Sequence, residues 1–153
     1  MGGRVSSVNI TEFTAALKKY RSAVRRDRKL SGPNVYKTLV YSRQLCGSKL
    51  LLEARIKEGV LEEIGYSISA CSLGQATLAM AVQHAKGLTQ DQVLHVLSQL
   101  EMLLKGESPI ETLVWPEMAI LKEGAALPSR HDSARLVFRA LLELFEEEKK
   151  ANK

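Results

Sequence analysis

Apolar residues recur along this chain with two different periods, and the changes between them mark its elements. Phe13, Leu17, Tyr20 and Val24 stand 4, 3 and 4 residues apart, the spacing of one helical face. Asn9 or Thr11 can cap such a helix, which runs to about Lys29 until Ser31-Gly32-Pro33-Asn34 breaks it. The period then becomes two. A weakly patterned strand is expected over Tyr36 to Ser42, followed by a turn at Cys46-Gly47-Ser48. Beyond it Leu50, Leu52, Ala54 and Ile56 point one way and Lys49, Glu53, Arg55 and Lys57 the other. Glu58-Gly59 closes a hairpin into Leu61 to Ser69, with Ile64, Tyr66 and Ile68 facing inward.

After Ser69 the chain reads as helical. Cys71 to Ala85 is rich in small residues (Gly74, Ala76, Thr77, Ala79, Ala81), suited to lying close on a sheet, and it stops at Lys86-Gly87. Thr89-Gln90-Asp91-Gln92 is a capping box that opens a helix with the stripe Val93, Val96, Leu97, Leu100, Leu103 and Leu104, ended by Gly106. A short helix is expected from Pro116 through Leu121, then a linker at Ala125-Ala126-Leu127-Pro128. The last helix turns Ala134, Val137, Phe138, Leu141, Leu144 and Phe145 inward, and Glu146 to Lys153 reads as a frayed polar tail. A sheet with one apolar face needs helices over it. The fold expected is therefore α+β: an N-terminal helix and a three-stranded antiparallel sheet covered on one face by about four helices.

Composition narrows the classes. With 153 residues, 45% of them hydrophobic, one domain can bury a full core. No run approaches the roughly 18 apolar residues of a membrane span, and no signal-peptide core opens the chain. Two cysteines make no disulfide framework, so a reducing compartment is the default and a Cys46-Cys71 bridge stays open. The net charge of +5 is concentrated: residues 1–37 hold nine Lys/Arg against two acids. Lys18, Lys19, Arg21, Arg25, Arg26 and Arg28 form the outer face of the first helix, either a solvated face or a docking surface for a partner. Nothing in it carries the aromatic interleaving of a nucleic-acid binder. Gly2 with Ser6 also fits the permissive myristoylation pattern.

Candidate chemistry centres on Ala70-Cys71-Ser72-Leu73-Gly74-Gln75-Ala76, where sheet gives way to helix. A thiol in the first turn of a helix lies among unpaired N–H groups and the positive end of the dipole, which favours the thiolate as metal ligand or sulfur acceptor. A small buried residue at a tight junction is the plain alternative. No nucleophile, base and orienting group are brought together by any motif, and there is no phosphate-binding glycine loop, so no enzymatic activity is expected.

Three blocks in order, Leu45-Cys46-Gly47-Ser48, Ala70-Cys71-Ser72-Leu73-Gly74-Gln75-Ala76 with Lys86-Gly87 downstream, and Arg130-His131-Asp132-Ser133, resemble the U-type iron-sulfur cluster assembly scaffold family, the NifU-like N-terminal domain. The resemblance spans roughly residues 35–147, leaving 1–34 as a basic extension and 148–153 as a tail. It implies a scaffold on which a two-iron two-sulfur cluster is built with sulfur from a cysteine desulfurase and then passed to acceptor proteins; some members bind zinc or accept sulfur. The family site is three Cys plus an Asp two residues after the first. By position Cys46 and Cys71 match the first two Cys, while Ser48 stands for the Asp and Ser133 for the third Cys. Hydroxyls are poor soft-metal ligands, so the metal candidates are Cys46, Cys71, His131 and Asp132, with Ser48 and Ser133 as lesser positions. The pattern also resembles a divergent branch of the family seen in alphaproteobacteria.

Asp132 and Ser133 could instead be N-caps, and His131, His84 and His95 plain surface histidines; Tyr66 and Trp115 read as core. The alternative to an active scaffold is a degenerate one, without bound cluster, retained as an accessory subunit of a larger assembly that the basic helix would dock. A bacterial cytoplasm or a mitochondrial matrix suits either.

Overall fold

In the computed structural model the described residues are 10–43 and 47–152. Helix α1 (Ile10–Ala23) leads into strands β1 (Val35–Tyr41), β2 (Lys49–Lys57) and β3 (Val60–Ser69), then α2 (Ser72–His84), α3 (Gln90–Leu104), a 3-10 segment (Pro116–Ala126), a 3-10 turn (Pro128–Arg130) and α4 (His131–Ala151). The sheet is antiparallel in the order β1-β2-β3, an α+β arrangement. No helix among the described residues is long and apolar enough to cross a membrane.

The alternation read from β2 is what the sheet uses. Leu50, Leu52, Ala54 and Ile56 are all buried on the helix side, where Val40 pairs with Leu50 and Tyr66 with Leu52 across the strands. Glu58 and Gly59 both take positive φ, 52° and 76°, the mirror-image turn whose twist matches paired strands. Helix α4 lies over β1 and β2, α2 packs on α4 and α1 and reaches β3, and Leu78, Met80, Val137, Phe138 and Leu141 of the two helices are buried. Thr89 caps α3 as its sequence predicts: its hydroxyl accepts the Gln92 N–H, and its own N–H donates to Gln92 Oε1 at 2.9 Å.

Three boundaries differ from the sequence reading. Helix α1 buries Leu17, Tyr20 and Val24 as its spacing predicts, but ends at Ala23 and not near Lys29. Arg28 instead forms an isolated β-bridge: its N–H donates to the Tyr66 carbonyl at 2.9 Å and its carbonyl accepts the Tyr66 N–H at 2.7 Å. The following residues close over the far face of the sheet, where Glu53 accepts the Leu30 N–H at 2.7 Å and Arg55 donates to the carbonyls of Ser31 and Pro33. The short helix at Pro116 is of 3-10 type, and it occupies the stretch read as a linker as far as Ala126. Residues 146–151 are helical and not frayed, because Glu148 is buried, accepting the Gly59 N–H at 3.4 Å and an Asn152 amide at 2.6 Å.

Candidate functional site

Three separate stretches of sequence meet at one end of the sheet. Ser48 lies just before β2, Cys71 just before α2, and Ser133 in the first turn of α4. The Ser133 hydroxyl donates to Ser48 Oγ at 3.0 Å, and the Cys71 backbone N–H donates to the same oxygen at 3.4 Å. Ser48 and Ser133 are buried, 2% and 0% exposed. The approach of α4 to α2 depends on Gly74: a Cβ there would stand 2.5 Å from Ser133 Oγ, closer than real carbon contacts come, and 3.1 Å from the Ser133 carbonyl oxygen, a tight one.

Cys71 occupies the N-cap position of α2 with extended backbone (φ −69°, ψ 172°) and makes no side-chain cap bond. It is half-buried, packed at the edge of the hydrophobic core and in no disulfide, while its N–H is held by Ser48. Cys46, the other thiol picked out by the sequence, lies outside the described residues, as do Gly2, Ser6 and Asn9.

Neither Asp132 nor Ser133 caps α4. The N-cap is Arg130, without a side-chain cap bond. The Asp132 carboxylate instead accepts the Arg43 backbone N–H and the Arg139 Nη1–H at 3.1 Å, with Arg135 Nη1 at 3.9 Å. His131 Nε2 lies 2.9 Å from the Gly124 carbonyl; a carbonyl only accepts, so Nε2 carries the proton and the lone pair of the neutral ring is on Nδ1. Among the described residues no three of His, Cys, Asp and Glu stand where they could hold a metal ion. The two serine hydroxyls bond to each other, and the Asp132 carboxylate is engaged by arginine. Of soft donors for an iron or zinc cargo, the described residues around Ser48 and Ser133 offer the Cys71 thiol.

A second polar cluster went unread in the sequence. The His84 imidazole meets Glu117 Oε1, the Tyr20 hydroxyl donates to Glu117 Oε2 at 3.0 Å, and His84 stacks on Trp115, whose centroid is 6.0 Å away. Burial, the hydrogen bond to Glu117 and its charge push the Tyr20 phenol up to about 12. Burial alone would raise the Glu117 carboxyl, but His84 and Tyr20 bonds hold it below its ordinary range. The cluster ties α1, α2 and the 3-10 segment together, so His84 is a structural partner and not a plain surface residue. His95 lies 3.8 Å from Glu111 at the surface. Trp115 and Tyr66 are core, as their sequence contexts predict.

No protein-family model matches the sequence, and no curated protein matches it. Solved structures do match the fold. The N-terminal part of a nitrogen-fixing NifU-like protein from Brucella abortus superimposes with a TM-score of 0.77 at 22% identity, covering 88% of this chain and 92% of that one. A putative iron-sulfur cluster assembly scaffold protein for the SUF system from Fervidobacterium islandicum gives 0.69 at 15% identity, covering 84% and 93%. A hypothetical protein gives 0.71 at 18% identity, covering 89% and 98%. The α+β fold of this chain is thus the fold of NifU-like N-terminal domains and of the SUF-system scaffold.

Proposed function

We propose that this protein serves iron-sulfur cluster assembly as a non-enzymatic sulfur acceptor, with Cys71 as the working thiol and Cys46 as its companion. The observation that carries this reading is the placement of Cys71: half-exposed, free, uncapped, at the helix start where Ser48 and Ser133 converge. In the step proposed, the Cys71 thiolate attacks the outer sulfur of a persulfide on a cysteine desulfurase. The donor S–S bond breaks, the desulfurase leaves as its thiolate, and Cys71 becomes the persulfide. Iron, zinc or a two-iron cluster would then be cargo held by both thiols with His131 through Nδ1; Asp132 is less suited, since its carboxylate is already engaged. Cluster-acceptor proteins would receive that cargo, in a bacterial cytoplasm or mitochondrial matrix.

The test is incubation with a cysteine desulfurase and cysteine without oxygen, followed by intact-mass and peptide mass spectrometry. The expected result is the gain of sulfur on the peptide holding Cys71, lost in Cys71→Ala. Metal content of the reconstituted protein, wild type against Cys46→Ala/Cys71→Ala, reports cargo binding in the same samples.

A second reading is favoured by the Ser48-Ser133 bond, which fills the family's ligand positions with a hydroxyl pair. A scaffold fold kept for its surfaces, as an accessory subunit, would take neither sulfur nor metal. It would copurify stoichiometrically with a larger complex, and behaviour as a free monomer would count against it.

A further inference from the structure

We propose that Asp132 is a positioning residue for Cys71: it holds residues 41–43, which follow on from β1, so that Ser48 stays against the Cys71 backbone. The importance of that position rests on the reading of Cys71 as the working thiol, but the positioning itself does not.

The residue is 4% exposed, and among the described residues two donors converge on its Oδ2. One is the Arg43 backbone N–H. The other is Arg139 Nη1 at 3.1 Å, a nitrogen that also donates to the Tyr41 carbonyl at 2.9 Å. Between these, the Ser42 N–H donates to the Ser48 carbonyl at 2.8 Å. Residues 41, 42, 43 and 48 are thereby tied to one another and to α4. Ser48 Oγ then receives the Ser133 hydroxyl and the Cys71 N–H. A path of hydrogen bonds and adjacent residues leads from Asp132 through Arg43, Ser42 and Ser48 to the backbone that presents the thiol.

Helix α4 docks chiefly through an apolar face to which Asp132 does not contribute. Its Ala134, Leu136, Val137, Phe138, Leu141 and Leu144 are buried without it. Among the described residues the carboxylate accepts from the backbone at residue 43 and from the arginine that also bonds the Tyr41 carbonyl. A carboxylate suits this role because a charged acceptor bonds an N–H more strongly than a neutral one, and because removing it leaves Arg43 N–H and Arg139 short of a partner.

The experiment uses the full chain and amide hydrogen exchange read on peptides covering 41–43 and 70–75, with sulfur acceptance at Cys71 measured alongside. Asp132→Ala should speed exchange in both stretches by about tenfold, the scale of one lost hydrogen bond to a charged group, and slow sulfur acceptance. Asp132→Asn, which keeps an acceptor oxygen, should restore most of both. Ser48→Ala should loosen 70–75 and leave 41–43 as in wild type. Faster exchange at 41–43 alone, with the Cys71 stretch unmoved, would overturn the proposal. Should Asp132→Ala not fold, Arg139→Met, which strips the carboxylate of its charged donor, carries the same expectation and the same refutation. A wild type that accepts no sulfur, yet whose 70–75 exchange responds to Asp132→Ala, leaves the positioning intact and removes the proposed function.

Discussion

Gly74→Ala is the most demanding check on the junction of α2 and α4. The new methyl would meet Ser133 Oγ at 2.5 Å, the Ala70 Cβ at 3.0 Å and the Ser133 carbonyl at 3.1 Å. The Ala70 Cβ and the Ser133 carbonyl cannot swing away, and turning Ser133 Oγ aside breaks its bond to Ser48, so either that bond is lost or the helix starts separate. Overpacking of this kind costs about 1–3 kcal/mol. The better helix propensity of alanine offsets up to about 1 kcal/mol, and less in a first turn. The net loss is roughly 1–2 kcal/mol, or a fall in Tm of about 2–8 °C for a chain of this size. Thermal unfolding followed by circular dichroism measures it. Ser133→Ala removes the shortest contact and leaves the other two, so the double variant should recover part of the loss, with a coupling of about 0.5 kcal/mol or more. A Gly74→Ala protein as stable as wild type, or strict additivity with Ser133→Ala, would refute the close approach.

The remaining predictions concern titration and ligand chemistry. The Tyr20 pKa is raised in the folded state, so its contribution to stability is full below about pH 10 and is lost as pH rises through about 12; the wild-type stability curve should fall there relative to Tyr20→Phe. The Glu117 pKa is depressed, so its contribution is present above about pH 4.3, the ordinary value, and disappears as pH falls through the folded value. Acid denaturation of Glu117→Gln should lack that component, and equal acid slopes in both proteins would contradict the cluster. Ser48→Asp/Ser133→Cys puts back the carboxylate and thiol of the family site, and should bind iron or zinc more tightly than wild type when metal is assayed by mass spectrometry; unchanged metal content would mean that these positions do not face a ligand.

What the sequence disclosed was whatever depends on local period or local capping. The β2 alternation, the Thr89-Gln92 box and the apolar stripes of α3 and α4 needed no partner to be read. The rest was decided by distant residues. Nothing near Arg28 says that Tyr66 will recruit it into a β-bridge and end α1 early. Glu148 looked like one more acid in a charged tail because the backbone N–H that buries it belongs to Gly59. The site was half legible: Ser48, Cys71 and Ser133 could be aligned by spacing, but two hydroxyls in separate blocks give no sign that they bond to each other. Asp132 and Ser133 read as caps because such residues at a helix start usually are; arginine and Ser48 compete successfully for their side chains. His84 and Glu117, 33 residues apart, share no motif that would have announced their pairing.

The bonds that fasten α4 also set an order of events in folding. Thr38 to Glu143, Arg43 to Asp132 and Gly59 to Glu148 span 105, 89 and 89 residues, and all of them join the sheet to the last helix. During synthesis, the hairpin turn and residues 41–43 therefore leave the ribosome long before the groups that lock them. Until α4 arrives, the apolar face of the sheet lacks most of its helical cover, and Cys71 lacks the hydroxyl pair behind it. So many long-range closures predict slow folding for a chain this rich in helix, and a nascent intermediate exposing a strand face is the form most open to aggregation or to capture by a chaperone.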